Sequence, residues 1–258
     1  MKSNHSFYER HDALILGAIS VLAVLGAWEI IWELGWISPL FFSGPSAVAK
    51  QFWETLRRGS LLSDLAYSGI NFGLGFLIAS LAGIVLGIVL GWYRWLRLLI
   101  NPFVVVLYSM PRIALVPLII VWFGIYIKSK VVIIFLFAFF PVLVNTIAGV
   151  MALDPDLIRA ARAFCATDWQ IFRTVALPGS VPFILTGIRQ GVSLGLTGVV
   201  ISEMFGGSEG IGYMVVFSGT TFQTDSLFMG VIVIAIAGIF FNWLAERLER
   251  RFSRWKPE

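Results

Sequence analysis

The sequence is poor in charge. Of its 258 residues, 13% are charged and 58% are hydrophobic, and the mean hydropathy is +0.87. An ordinary soluble domain has about 25% charged residues and roughly 45–50% apolar ones. This much apolar surface cannot all face water, and lipid is the alternative. The composition therefore excludes a soluble globular domain and predicts a polytopic membrane protein.

Residues that serve catalysis and metal binding are also scarce. Cys165 is the only cysteine, and His5 and His11 are the only histidines, so the sequence allows neither an intrachain disulfide nor a CxxC metal site. No GxxxxGK[ST] motif occurs, because no lysine follows a glycine. A phosphate-cradling loop of this kind is therefore absent from the sequence. We expect no cofactor in this chain.

The basic pI of about 9.4 does not indicate a nucleic-acid partner. The lysines and arginines gather at the ends of apolar segments instead of on one face, which is how membrane topology is encoded. We therefore expect no nucleic acid among the partners.

Apolar windows of about 20 residues predict six transmembrane helices in an all-α fold. They lie near residues 13–35, 70–91, 96–122, 130–152, 181–205 and 227–245. The first window is too long for the apolar region of a signal peptide, and no small-residue cleavage site follows it, so we interpret it as a retained span. The predicted organisation is a cytoplasmic N-terminus over 1–12, a single transmembrane domain over 13–245 and a basic cytoplasmic C-terminus over 246–258.

The segment 45–64, between the first two windows, is amphipathic. Apolar and charged residues alternate there at helical spacing: Phe52, Trp53 and Leu56 with Lys50, Glu54, Arg57 and Arg58. We predict a helix that lies in the membrane interface.

The distribution of basic residues predicts the orientation. With the N-terminus inside, twelve of the 19 lysines and arginines fall on the cytoplasmic side: Lys2, Arg10, Arg94, Arg97, Arg159, Arg162, Arg173, Arg247, Arg250, Arg251, Arg254 and Lys256. The outer side receives Lys50, Arg57, Arg58, Lys128 and Lys130. By the positive-inside rule this bias predicts that both termini are cytoplasmic and that 153–180 is a cytoplasmic loop.

Two predicted spans carry special residues. Gly83, Gly87 and Gly91 lie one turn apart in the second span, a spacing that lets helix backbones pack closely in lipid. Pro102, Pro111 and Pro117 are expected to interrupt the third span. Since each proline removes a backbone donor that lipid cannot replace, this span should be shielded by protein or line a watery cavity.

The loop from Asp154 to Pro178 contains two helix starts. Asp154 can cap a helix with Pro155 at its first position, and Thr167 with Gln170 fits a capping box. The second helix is expected to stop near Leu177–Pro178. The loop is therefore predicted to be a helix-turn-helix hairpin. Its first helix exposes small residues between two arginines, where a partner could approach the backbone: Arg159, Ala160, Ala161 and Arg162.

This loop resembles the "EAA" coupling loop of type I ABC importer permeases, which docks on the ATPase subunit. The resemblance is carried by Arg159-Ala160-Ala161, by a turn at Cys165-Ala166 before Thr167, and by Leu177-Pro178-Gly179-Ser180. Two positions depart from the family pattern. Arg159 replaces the first acidic residue, as in taurine-type permeases, and Cys165 replaces the usual glycine of the turn.

Other blocks resemble the nitrate/sulfonate/taurine branch of these permeases. They are Ser109 to Ala114 with Pro117, Trp122 to Ile125, Phe139 to Asn145 with Gly149, Thr186 to Arg189, and Gly210 to Tyr213. The resemblance implies a homodimeric permease in the bacterial inner membrane with two separate ATPase subunits, which bind ATP and Mg²⁺. It also implies a periplasmic or lipid-anchored binding protein that delivers a small, anionic solute such as nitrate, a sulfonate or taurine.

Few polar residues within the spans are candidates for the translocation path: Arg112, Asn145, Arg189 and Glu203. Arg189 and Glu203 share a helix face but lie about 21 Å apart, so they cannot pair with each other. Since a charge at this depth needs a partner or water, Arg189 is expected to meet a structural or gating partner. Glu203 is expected either to pack against another span or to line the path, and Arg112 to meet an anionic solute.

Two other classes of protein compete with this interpretation. A secondary transporter would show inverted repeats and more buried carboxylates than this sequence has. A membrane enzyme would need a His, Ser or Cys constellation in its spans, which the sequence lacks.

Overall fold

The structure, a computed structural model, describes residues 5–252. Eleven α-helices occupy most of this range. They are α1 (His5–Glu33), α2 (Pro45–Arg58), α3 (Ser60–Trp92), α4 (Arg94–Ser109), α5 (Val116–Phe123), α6 (Ile127–Met151), α7 (Pro155–Ala163), α8 (Asp168–Ile171), α9 (Leu177–Gly206), α10 (Ile211–Thr220) and α11 (Thr224–Phe252). A 3-10 turn over Arg112–Leu115 precedes α5, and a π-helical segment over Phe172–Ala176 joins α8 to α9.

The predicted all-α fold with six spans is confirmed. Five stretches are long and apolar enough to cross a membrane: Ile15–Glu33, Ser60–Trp92, Ile127–Met151, Asp168–Gly206 and Thr224–Arg247. The helices α4 and α5 together give the sixth span, which is bent by 88°. With 10 residues, α10 is too short to cross.

The break in the bent span lies at Pro111. There α4 ends at Ser109 and the 3-10 turn begins at Arg112. The expectation that Pro102 and Pro117 also interrupt the span is wrong. Pro102 lies inside α4, and Pro117 lies in the first turn of α5, where its missing N–H has no intrahelical acceptor to lose.

The chain divides into two compact units, Met1–Leu62 with Met214–Ile232, and Ser63–Tyr213 with Val233–Glu258. In the larger unit, α6 packs between α3 and α9. Glycines on α3 and α9 allow their backbones to approach α6 closely. A Cβ on Gly87 of α3 would lie 2.5 Å from Cβ of Thr146, and one on Gly198 of α9 would lie 3.1 Å from Cα of Ile134. Both faces of α6 are therefore buried by small-residue packing.

The smaller unit contains α2, whose helix is shorter than the predicted amphipathic segment 45–64. It ends at Arg58 because Gly59 adopts a left-handed conformation with φ of 79°, and residues 60–64 begin α3. Hydrogen bonds join α2 and the segment before it to the start of α11. Ser43 Oγ donates to Asp225 Oδ1 at 2.6 Å, and Gln51 Nε2 lies 2.8 Å from Ser226 Oγ.

Candidate coupling site and translocation path

The first helix of the predicted hairpin is α7, which begins as the sequence predicts. Asp154 caps it by accepting a hydrogen bond from the backbone N–H of Asp156 at 2.8 Å, and Pro155 stands in the first turn. On the exposed surface, Arg159 pairs with Asp156. Ala160 is exposed and Ala161 half-buried. The helix thus presents small residues flanked by arginines.

The turn after α7 depends on a left-handed residue. Cys165 has φ of 57°, and its N–H donates to the carbonyl of Arg162 at 2.9 Å, while Ala166 N–H donates to the carbonyl of Ala161 at 3.1 Å. These two bonds form a Schellman motif, in which glycine is the usual left-handed residue. The chain makes the turn with cysteine at the position where the resemblance expects glycine.

The second helix begins with the predicted capping box. Thr167 Oγ1 accepts from Gln170 N at 3.3 Å, and Gln170 Oε1 accepts from Thr167 N at 2.7 Å. The prediction that this helix stops near Leu177–Pro178 is wrong. The π-helical segment Phe172–Ala176 carries it into α9, so Asp168–Gly206 is one continuous helix. Pro178 has no N–H to donate to the preceding turn of the helix. The π-segment shifts the hydrogen-bond register there, so the helix continues through the proline.

The hairpin also exposes large apolar side chains. Phe164, at the turn, is 87% exposed, and Leu157 of α7 and Trp169 of α8 are exposed as well. Trp169 stacks on Phe172, which meets Trp92 at the end of α3 with ring centroids 5.6 Å apart. An apolar patch of this kind on a polar segment marks a protein-binding surface. The hairpin is therefore self-capped and carries an exposed apolar patch, and its role as a coupling element stays a prediction.

Two polar pairs lie along α9, and we call these pairs, with the cavity that borders the second, the polar groove. Asn145 of α6 donates to Gln190 at 3.0 Å, and Ser193 donates to Asn242 of α11 at 3.0 Å. Beside them is an open cavity of about 320 Å³, lined by Ser193, Leu196, Thr197, Val200, Ile201, Ile234, Gly238 and Asn242. Exposed hydrogen-bonding groups within a span need water or a partner. This groove is the best candidate for a solute path in the described residues.

Arg189, next to Gln190, meets a partner at the end of α11. Its guanidinium lies 3.6 Å from the carboxylate of Glu249, and Thr186 Oγ1 lies 3.3 Å from the same carboxylate. Arg189 and Glu203 do not pair with each other, as their spacing predicts. Glu249 was not singled out from the sequence, because it lies in the charged tail that follows the last apolar window.

Arg112 lies at the bend of the third span. Its guanidinium carbon is 5.2 Å from the ring centroid of Tyr108, 5.6 Å from that of Phe140 and 5.8 Å from that of Phe137. Its Nε is buried and has no hydrogen-bond partner among the described residues. Its Nη2 donates to the carbonyl of Tyr108 at 3.4 Å. An arginine over aromatic faces is stabilised by cation–π attraction. Its role toward an anionic solute stays a prediction.

Glu203 is fully buried, with 0% exposure, at the end of α9. Its Oε2 accepts hydrogen bonds from Ser68 Oγ and from the backbone N–H of Gly212, both at 2.9 Å, and its Oε1 lies 3.4 Å from Asn71 Nδ2. These contacts hold residues 206–212, which we call the glycine turn, against α3. Of the two roles expected for Glu203, the geometry supports packing.

The glycine turn has a second anchor on α3. Asp64 accepts from Gly210 N at 2.9 Å, and Ser68 Oγ accepts from Ile211 N at 3.0 Å. A Cβ on Gly210 would lie 2.5 Å from Cδ of Glu203, and φ of this glycine is 103°. The turn can therefore follow this course only with glycine at 210.

Lys130 belongs to the same cluster and was missed. The sequence analysis counts it among the charges of the outer side, at the start of the window 130–152, but it is 1% exposed. Its Nζ lies 2.6 Å from Tyr67 Oη, and it interacts electrostatically with Glu203. Sequence periodicity gives no signal for this pair, since only the packing of α3 against α6 and α9 brings the residues together. Ser193 and Asn242 were missed for the same reason.

No hydrogen bond or ion pair joins any two of the four path candidates in the part of the chain that the structure describes. Asn145 is hydrogen-bonded to Gln190, which follows Arg189 in the chain, so these two candidates share one region. Arg112 lies among the aromatic residues of the bend, and Glu203 lies with α3. The four residues thus occupy three separate environments.

The apolar helices define a multi-pass membrane protein, with the hairpin in the loop before α9. Residues 79–254 match the model of the family described as "Binding-protein-dependent transport system inner membrane component". The chain is 32% identical to the putative aliphatic sulfonates transport permease protein SsuC of Bacillus subtilis, over 93% of this chain and 87% of that protein. It is 33% identical to the taurine transport system permease protein TauC of Escherichia coli, over 96% and 92%.

A solved structure shares the fold. The inward-facing MetNI methionine ABC transporter matches with a TM-score of 0.61 at 19% identity, over 79% of this chain and 98% of that chain. Together with the family match, this places the chain in the binding-protein-dependent transport inner membrane component family. It has the type I fold of an ABC importer permease, and it is a multi-pass inner membrane protein. Members of this family are permease subunits and are not themselves catalytic.

Proposed function

We propose that two copies of this chain form the translocation pathway of an ATP-driven importer for a small sulfonate such as taurine. A separate pair of ATPase subunits binds ATP and Mg²⁺, and a binding protein delivers the solute on the outer side. The hairpin carries this proposal. Its two capped helices, left-handed turn and exposed Phe164 form a docking element for the ATPase.

The coupling residues follow from this assignment. The ATPase surface approaches α7 at Ala160 and Ala161 while Arg159 and Arg162 meet its acidic groups. Thr167, Cys165 and Ala166 hold the angle between α7 and α8, and Leu177 and Pro178 lie in the continuous helix that transmits movement to α9. ATP-driven closure of the two ATPase subunits then moves α9 with the hairpin, since α8 and α9 belong to one continuous helix.

The polar groove supplies the solute path. Asn145, Gln190, Ser193 and Asn242 present amide and hydroxyl groups that can donate to sulfonate oxygens without holding the anion too tightly. A guanidinium is the stronger donor to such an anion, and we assign that role to Arg112. Permeases of similar sequence are named for sulfonates and taurine, which supports this solute class.

The orientation is part of the proposal. Both termini and the hairpin lie in the cytoplasm, and the glycine turn lies outside, because basic residues concentrate on the hairpin side. An accessible thiol introduced at Ser208 should react with an impermeant reagent added to intact cells, whereas Cys165 should not. The reverse labelling would contradict the orientation.

The central test is Ala161→Glu in the complex reconstituted with its ATPase and binding protein. A bulky acid at this half-buried position should clash with the ATPase and repel its acidic groups, so we expect loss of ATPase co-purification and at least a tenfold loss of taurine-driven ATPase activity, on the order of 1.4 kcal/mol or more. The matched control is Ala163→Glu, which makes the same change at the last residue of α7. Full co-purification and activity with Ala161→Glu would refute the coupling site.

A further inference from the structure

The exposed side of α2 carries a stripe of basic and aromatic residues. Lys50, Trp53 and Arg57 are separated by three and four residues, so they lie on one helix face, and all three are exposed. The guanidinium carbon of Arg57 lies 4.9 Å from the ring centroid of Trp53. Lys50 and Arg57 thus precede and follow the exposed Trp53 along one helix face. We call these three residues the α2 stripe.

The charge of the α2 stripe is not neutralised within the chain. Glu54, the acidic residue of α2, lies within one turn of both Lys50 and Arg57, but its carboxylate pairs with Arg58 at 3.6 Å. Neither Lys50 nor Arg57 has a hydrogen bond or ion pair to any residue that the structure describes. Two cations that flank an indole therefore remain available for an anion.

The surroundings of the stripe have the character of a membrane interface. Within the same compact unit, Trp36 and Phe41 follow the end of the first span, and both are strongly exposed, as is Phe52 beside Trp53. Exposed tryptophans and phenylalanines next to the end of a span are typical of the level of the lipid headgroups. A helix with an apolar side and exposed basic residues at this level lies in the interface.

We propose that Lys50, Trp53 and Arg57 bind the headgroup phosphate of an anionic phospholipid. The two cations supply N–H donors and charge to the phosphate, and Trp53 packs against the glycerol region beside it. The exposed apolar area of Phe52 and Trp53 favours a lipid over a free anion, because a soluble anion leaves that area in water. This site is independent of the transported solute and of the importer function.

The test is native mass spectrometry of the full-length chain in nonionic detergent, titrated with phosphatidylglycerol or with phosphatidylcholine of the same acyl chains. We expect phosphatidylglycerol to bind more tightly, and Arg57→Gln to weaken its binding about fivefold, with a similar further loss on adding Lys50→Gln. The matched control is Arg58→Gln, the same charge change at the next residue, whose guanidinium pairs with Glu54. It should change the affinity less than about twofold.

The substituted side chains are exposed, so lipid-free thermal unfolding should match that of the parent chain. Equal affinity for the two lipids would overturn the proposal, as would unchanged affinity in Arg57→Gln or an equal loss in Arg58→Gln. Displacement of phosphatidylglycerol by inorganic phosphate would show a free-anion site instead and would also overturn it. None of these outcomes depends on the ATPase, so failure here is distinct from failure of the importer assignment.

Discussion

The hairpin and the glycine turn lie at opposite ends of one continuous helix, Asp168–Gly206, and they are held in opposite ways. In the hairpin, Asp154 and Thr167 each cap a residue two or three positions away. In the glycine turn, the anchors come from α3, between 132 and 146 residues distant in the chain. One end is built by local bonds and left exposed for a partner, whereas the other is built by tertiary bonds and buried.

The difference predicts different responses to mutation. Breaking a local cap affects one exposed helix end and its docking, since the buried core does not depend on it. Breaking a buried tertiary anchor leaves polar groups unpaired in the interior, which lowers the free energy of unfolding of the whole domain. The four predictions below test this contrast.

The largest effect should come from Gly210→Ala in the glycine turn. The new Cβ would lie 2.5 Å from Cδ of Glu203, at a φ of 103° that side chains rarely adopt. We expect the free energy of unfolding to fall by about 3 kcal/mol, with loss of monodisperse protein on size-exclusion chromatography. Gly35→Ala is the control, because Gly35 has φ of 64° but open space around it. Its loss should stay within about 1–2 kcal/mol, and an equal loss in the two variants would show that the contact with Glu203 is unimportant.

Glu203→Gln should have the next largest effect. The glutamine amide has no charged oxygen to accept the hydrogen bonds that Gly212 and Ser68 donate to Glu203. Lys130 also loses its electrostatic partner. We expect a loss of about 2 kcal/mol in thermal or denaturant unfolding. Adding Lys130→Met should cost less in this background than in the parent chain, since the two residues interact. Strictly additive losses would argue against coupling within the cluster.

Thr167→Ala tests the local side of the comparison. The capping box loses the bond that Thr167 Oγ1 accepts from Gln170 N, whereas the backbone N–H of residue 167 can still donate to Gln170 Oε1. The lost cap should destabilise the start of α8 by about 1 kcal/mol. Because the bonds are local, we expect weaker ATPase co-purification with a nearly unchanged melting temperature of the membrane domain. Thr167→Ser keeps the cap and serves as the control. A melting temperature as low as that of Glu203→Gln would remove the contrast between the two ends.

Cys165→Gly should have the smallest effect and the opposite sign. The left-handed φ of 57° strains a cysteine, and its relief is worth roughly 1 kcal/mol, partly offset by the greater freedom of glycine in the unfolded chain. We expect a slight stabilisation of the hairpin and unchanged coupling. Cys165→Val, which strains the turn further, should weaken co-purification. A loss of ATPase activity in Cys165→Gly would show that the thiol itself has a role.

The sequence predicts the hairpin better than the rest of the site. The capping residues Asp154 and Thr167 act on backbone groups within one turn, so a few consecutive residues are enough to predict their effect. The continuation through Pro178 was missed because the pattern rule assumes that proline ends a helix, and a π-segment avoids that outcome. The same rule wrongly predicted breaks at Pro102, which lies inside α4, and at Pro117, which lies in the first turn of α5.

By itself the sequence determined the membrane class, the number of spans, the position of the hairpin and the family resemblance. These follow from hydropathy, charge and capping, which act over one helix or less. Only the tertiary structure decided that Lys130 is buried, that Glu203 and Asp64 hold the glycine turn, and that Arg189 meets Glu249. A buried charge chooses its partner by three-dimensional proximity, and no periodicity in the chain records which distant residue packing will bring beside it.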